Sequence, residues 1–211
     1  AAFKRIPLAA ICGNHDVNGP FAAYLGTPGM TENNNYFFVR GNALFIALDS
    51  NDPDVDGQKQ FIRDAIAAEP ARWVFVLMHH GLYSAGPHSD SSDIGKLRAA
   101  YADFFTEMDI DAVLSGHDHI YARSHLMKDG SPVSSEDEDV GAALTKRPGE
   151  TVYLTATSST GSKHYALETD DAMYLACVDE RSEACLTIVN LEHESVTFTT
   201  YCAYDLSIVD R

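Results

Sequence analysis

Basic residues are scarce in this chain. Lys and Arg number 15 against 31 Asp and Glu over 211 residues, for a net charge of −16. A surface of that sign repels phosphate backbones, and the few cations are scattered, which argues against a nucleic-acid polymer as partner. Long apolar runs are also lacking, so the sequence predicts no membrane span, and no charged-then-apolar stretch has the form of a signal peptide. Cysteine is limited to Cys12, Cys177, Cys185 and Cys202, with no C-x-x-C pair. That spacing argues against a structural zinc site. Cys12 lies in an apolar run and reads as a buried hydrophobe. Cys177 and Cys185 flank a polar loop of a length that a disulfide could close, and spacing alone leaves the bonded and free states both open. No internal repeat or flexible linker is visible, and the expectation is a single domain over residues 1–211.

What is present alternates between strand and helix. Ile6–Cys12 reads as a buried strand that stops abruptly at Gly13-Asn14-His15-Asp16. Residues 36–40 and 43–49 predict a hairpin around Gly41-Asn42. Phe61, Ile62, Ala65 and Ile66 have helical spacing within 56–68, ended by Pro70. An apolar strand over 73–78 runs into His79-His80. After a polar loop, 97–108 reads as a second helix, and a strand over 110–115 runs into Gly116-His117-Asp118-His119. Beyond His125 the pattern turns to short strands over 152–157, 186–191, 196–201 and 206–209. Ser134–Asp139 is an acidic run that reads as a solvated loop. Glu192-His193-Glu194 has metal-like composition but sits at an expected exposed turn.

Three apolar strands therefore each end in His or Asn, and ligands are held at the carboxyl ends of strands in α/β sheets. On an extended backbone, His117 and His119 would project to one face. Neutral imidazoles held that way suit zinc, iron or a similar transition metal. With His79 and Asn14, three imidazoles and one amide oxygen could converge from three segments.

Gly13-Asn14-His15-Asp16, Val76-Leu77-Met78-His79 and Gly116-His117-Asp118-His119 resemble, in order and spacing, the last three signature blocks of calcineurin-like metallophosphoesterases. The stretch from Gly116 to Ser124 is most similar to the purple acid phosphatase branch, and Thr155–Lys163 resembles a strand and turn of bacterial, often secreted, members. The resemblance implies an α/β fold: a four-layer sandwich of two mixed sheets flanked by helices, here without its N-terminal strands. It implies hydrolysis of phosphomonoesters at a dinuclear centre of Fe, Zn or Mn. Asn14, His79 and His117 would hold one ion and His119 the other. His15 would contact the phosphoryl group or protonate the leaving group, with Asp16 orienting it. His88 falls where that branch places a histidine that contacts phosphate; otherwise it is an exposed loop residue. His80 reads as a packing or supporting residue, and His125, His164 and His193 have no assigned role.

The family's two earlier blocks, each carrying an Asp, would precede Gly13, but residues 1–12 contain no Asp, Glu or Tyr. Asp49 and Asp90 are the conceivable stand-ins. The expectation is a chain that corresponds to the C-terminal part of a larger enzyme, binds at most one ion tightly and has little activity alone. Open sheet edges would then favour self-association. A small phosphorylated substrate and an extracellular or periplasmic setting follow from the resemblance. A phosphodiesterase or nucleotide hydrolase on the same fold, and a non-catalytic fragment, are the alternatives.

Overall fold

The computed structural model describes residues 6–17, 19–133, 143–168, 172–179 and 181–211. A short helix α1 (Phe21–Leu25) precedes the hairpin of β1 (Tyr36–Arg40) and β2 (Ala43–Leu48). Helix α2 (Val55–Ala68) starts where the Asp54 carboxylate accepts from Gly57 N, and β3 (Trp73–His80) follows. Helix α3 (Ser92–Glu107) begins five residues earlier than its apolar spacing predicts, because the Ser91 hydroxyl caps it by accepting from Ile94 N. The remaining strands are β4 (Ala112–Gly116), β5 (Tyr121–Ser124), β6 (Met127–Lys128), β7 (Ser131–Pro132), β8 (Val152–Thr155), β9 (Leu175–Asp179), β10 (Cys185–Leu191), β11 (Val196–Cys202) and β12 (Ile208–Asp210).

Seven strands form one mixed sheet in the order β1-β2-β3-β4-β8-β5-β9. Within it β2, β3, β4 and β8 are mutually parallel. Their side chains alternate between two layers. Leu44, Ile46, Leu48, Val74, Val76, Met78 and Val113 pack with Ile62 of α2 and with Tyr101 and Phe105 of α3. On the opposite face, Phe75 meets Phe198 of β11 edge-on at 6.1 Å, beside Leu191 and Val196. That contact docks the three-stranded sheet β10-β11-β12. The α/β class with a large mixed sheet, helices on one face and a second sheet on the other agrees with the sequence reading. The Glu192-His193-Glu194 turn is exposed as expected, and the Glu192 carbonyl accepts from Asn42 Nδ2 and Trp73 Nε1.

The opening run departs from expectation. Over 6–12 there is no strand: Ile6 is 60% and Leu8 49% exposed. The carbonyls of the run turn to side chains instead, Ala10 O accepting from Tyr36 OH at 2.8 Å and Cys12 O from Asn51 Nδ2 at 3.4 Å. Cys12 is buried as expected, and burial, before the nearby Asp49, pushes its thiol pKa up to about 12. The acidic run over 134–139 lies outside the described residues. No described helix is long and apolar enough to cross a membrane.

A buried ion pair ties the second sheet to the strand after the histidine motif. Asp210, 1% exposed, accepts from Tyr121 OH and Arg123 Nε, both at 2.6 Å, and from Arg123 Nη2 at 3.1 Å. Burial opposes the charged carboxylate, but these donors together hold its pKa below the usual range. Replacing Asp210 by Ala leaves Arg123 buried without its partner, and urea denaturation should show a loss of about 3–5 kcal/mol; a loss below about 1 kcal/mol would mean that the pair does not hold the sheets together.

Candidate metal centre

The parallel strands β3 and β4 deliver their carboxyl ends side by side, with His80 opposite Gly116. Past Gly116 the chain turns at once. His117 has φ 71° and His119 φ 50°, and Asp118 N–H donates to Gly116 O at 2.8 Å, closing a γ-turn at His117. The sequence reading took His117 and His119 as neighbours on one face of an extended backbone; both instead occupy the left-handed region, where a non-glycine residue is strained. Tertiary contacts hold the turn in place. Thr157 Oγ1 donates to His119 O at 3.0 Å, and the Asp118 carboxylate, 2% exposed, is anchored beneath.

Three predicted ligand atoms meet. His79 Nε2 lies 2.9 Å from Asn14 Oδ1 and 3.0 Å from His117 Nδ1. Two ring nitrogens and an amide oxygen so placed can share one proton between the rings at most, but all three can share a cation. Ligands at right angles on an ion with bonds of ~2.1 Å stand about 3.0 Å apart, so the donor set fits a transition metal. Asn14 reaches the strand end through a turn closed by Asp16 N–H to Gly13 O and Gly13 N–H to Asp16 Oδ2, both at 2.9 Å. Gly13 fits closely here: a Cβ would come within 3.2 Å of the His79 ring and 3.1 Å of the Asp16 carboxylate, so either would have to give by a few tenths of an ångström. The Asp16 bond thus goes to the turn that carries Asn14, while His15 beside it is exposed.

Electrostatics keep the ligands neutral. Burial, reinforced by the neighbouring His80, lowers the pKa of His79 and of His117 to about 4. Burial lowers His80 as well. Its Nδ1 is 2.8 Å from Ser50 Oγ, which also accepts from His80 N, so the supporting role read from the sequence has a partner. Nitrogens of His79, His80 and His117 nonetheless all lie within 4.8 Å of one another, which makes His80 part of the cluster.

His119 is oriented separately. Its Nδ1 donates to Lys163 O at 3.1 Å, which leaves Nε2 as the atom able to bind a metal. Its ring packs on Tyr165 at 5.0 Å. His88 sits in the same cluster: its ring is 4.4 Å from His117 and 5.4 Å from Tyr165. Asp118 Oδ1 accepts from both His88 N at 3.0 Å and His88 Nδ1 at 2.7 Å, so Nε2 is the free edge. Gly86 makes room for that pair, because a Cβ would come within 2.8 Å of the Asp118 carboxyl carbon. Arg98 of α3 fastens the loop by donating to Leu82 O and Ser89 O.

Asp118, Lys163 and Tyr165 carry no role in the sequence reading. Asp118 could have been suspected as the middle residue of the His-Asp-His triplet, whereas nothing local marks Tyr165. Asp49, weighed as a stand-in carboxylate, is buried and already engaged by Asn34 Nδ2, Asn51 N and Asn51 Nδ2 at 2.7–3.0 Å. Asp90 is exposed. His164 lies 3.4 Å from Thr157 Oγ1, and His193 is in the exposed turn.

Comparison with known proteins agrees with this geometry. Residues 1–121 match the calcineurin-like phosphoesterase family. The chain is 26% identical over 152 residues to an uncharacterized protein of Mycobacterium tuberculosis, covering 58% of this chain and 28% of that one. It is 29% identical over 133 residues to a phosphoenolpyruvate phosphatase of Allium cepa, covering 54% and 27%. The chain thus spans little more than a quarter of the length of these relatives. Among solved structures, the fold matches the purple acid phosphatase PPD1 of yellow lupin seeds with a TM-score of 0.69 at 16% identity, over 85% of this chain and 32% of that one. It also matches GAP50, described as the anchor in the inner membrane complex of Plasmodium, with a TM-score of 0.65 at 15% identity, over 94% and 62%. Those two likenesses concern the fold, while the sequence match extends through the Asn14, His79 and His117 blocks that converge in space. The chain belongs to the calcineurin-like phosphoesterase family.

Proposed function

We propose that this chain supplies half or more of a dinuclear centre that hydrolyses small phosphomonoesters, in the manner of an acid phosphatase. The observation that carries the reading is the approach of Asn14 Oδ1 and His117 Nδ1 to within 2.9 and 3.0 Å of His79 Nε2 beside the ends of parallel strands. These three would hold one ion of iron, zinc or manganese, and His119, with Nε2 left free, would serve the second. Bound ions supply Lewis-acid neutralisation of the phosphoryl oxygens and lower the pKa of an attacking water.

The chain's own residues do the rest. Asp118 accepts from His88 Nδ1 and so fixes the tautomer; Nε2 is then an acceptor in the neutral ring and donates to a phosphoryl oxygen or to the leaving oxygen only when the ring carries a second proton. His15 stands exposed beside Asn14, where it can contact the same group. Lys163 Nζ, 4.7 Å from the Tyr165 ring centre, puts a cation near His88 and His119, opposite in sign to the −16 of the whole chain. That local cation against an acidic surface favours small phosphorylated substrates over polymers. The reading extends to a setting outside the cytoplasm, as in the secreted members that Thr155–Lys163 resembles.

A second reading rests on the carboxylates. Asp49 is committed to its asparagine partners. A chain that keeps one ion without turning over substrate fits that observation, and the same fold serves as an anchor in the Plasmodium protein.

Two measurements test these statements. Calorimetric titration with Zn²⁺ or Mn²⁺ should find one tight ion per chain, with affinity falling roughly tenfold or more in Asn14→Ala, His79→Ala and His117→Ala. Two tight ions together with turnover of an aryl phosphate would instead overturn the one-ion expectation. The second measurement is pH dependence without metal. His79 and His117 titrate near 4 when folded against 6.5 for a free imidazole, so the unfolded chain takes up their protons first. The stability they contribute is complete above about pH 6.5 and is lost progressively as the pH falls toward 4. The melting temperature should therefore drop between pH 7 and 4.5, and drop less in His117→Gln; equal drops would mean that the imidazoles are not held neutral by the fold.

A further inference from the structure

The three-stranded sheet carries two cysteines that the metal centre does not use. In the pairing of β10 with β11, Cys185 stands directly opposite Cys202. The adjacent ladder bond runs from Ala203 N–H to Ala184 O at 2.7 Å. In an antiparallel pair, a bond between those flanking residues marks Cys185 and Cys202 as a non-hydrogen-bonded pair, whose Cα atoms approach to ~4.5 Å. Disulfides span Cα separations of about 4.4–6.8 Å, so the register brings these two residues, whose thiols are free in the structure, to a separation that a disulfide can span.

The side chains are placed to match. Residues directly opposite on paired strands point to the same face, and both sulfurs lie against one residue. Cys185 Sγ is 3.6 Å from Glu183 O, and Cys202 Sγ is 3.3 Å from Glu183 Oε2. Both cysteines are buried, at 5% and 1% exposure. The other two thiols are elsewhere. Cys177 sits in β9 of the large sheet opposite Arg123, and Cys12 lies next to the Asn14 turn.

We propose that Cys185 and Cys202 form a cross-strand disulfide. Each thiol gives up its proton, a sulfur–sulfur bond joins the two residues, and the two electrons released reduce a small-molecule disulfide such as oxidised glutathione to two thiols. The polar loop that invited a Cys177–Cys185 bridge by its length is thus passed over in favour of a partner 17 residues along the chain. The bond staples the hairpin of the sheet that ends in Asp210, and so secures the ion pair with Arg123 on the strand following the histidine motif. It persists in an oxidising compartment and not in a reducing one.

The test uses the folded wild-type chain in a buffer dominated by oxidised glutathione, followed by alkylation of free thiols, trypsin digestion and mass spectrometry. No Lys or Arg lies between Arg181 and Arg211, so Cys185 and Cys202 share one peptide. That peptide should be unalkylated and lighter by two hydrogens, while the peptide with Cys177 is alkylated. Reduction should then lower the melting temperature of the oxidised chain by roughly 5–10 °C and leave Cys202→Ser unchanged. Alkylation of both Cys185 and Cys202 after oxidation and after refolding in the same buffer, or a crosslink from Cys177 to Cys185, would overturn the proposal.

Discussion

Four parallel strands, β2, β3, β4 and β8, end on the same edge of the large sheet, and every chemical feature depends on that alignment. The central strand β3 carries most of the burden. Its alternation sends Val74, Val76 and Met78 into the helix layer and Phe75 toward the second sheet, and where the pairing with β4 becomes irregular, His79 and His80 both come into reach of His117. A slip of one residue would send the helix-layer side chains to the wrong face. The site is specified by the core beneath it.

At the strand ends, strain and burial work together. His117 and His119 hold left-handed backbone conformations that isolated residues avoid, and neighbours impose them: Thr157 on the His119 carbonyl, Lys163 O on its ring, and Asp118 below. The same packing removes water from His79 and His117 and makes protonation costly. A cluster of imidazoles that resists protons, with Asn14 Oδ1 and His117 Nδ1 both in contact with His79 Nε2, has the donor set that a metal ion needs. Asp118, within the γ-turn that carries His117, adds a second duty by accepting from His88 Nδ1 and N, so one residue of that turn orients a ring from a loop 30 residues away.

The second sheet supports this arrangement at a distance. Phe198 packs on Phe75 beneath the strand that ends in His79, and Asp210 clamps Tyr121 and Arg123 just after His119. The register that opposes Cys185 to Cys202 lies in the same sheet. Metal site, ion pair and cysteine pair are consequences of one packing of two sheets.

Much of this was legible in the residues because it is local. The hairpin around Gly41-Asn42, the two helices, the strand over 73–78 and the order of the three histidine-bearing blocks follow from periodicity, turn chemistry and motif spacing, each set by neighbours within a few positions. Those features pointed to the α/β class, and the resemblance of the three blocks pointed to the family and to Asn14, His79 and His117 as candidate ligands. Contacts between distant segments decided the rest. Ile6–Cys12 has the composition of a strand, yet its Ala10 and Cys12 carbonyls are taken by the side chains of Tyr36 and Asn51, 26 and 39 residues away. His117 and His119 share a site through a strained turn, not through strand alternation, because packing can outweigh local backbone preference. Asp118, Tyr165 and the partner of Cys185 became visible only when the chain was closed, since a hydrogen bond, a ring contact or a strand register joins residues whose separation in sequence carries no mark of it.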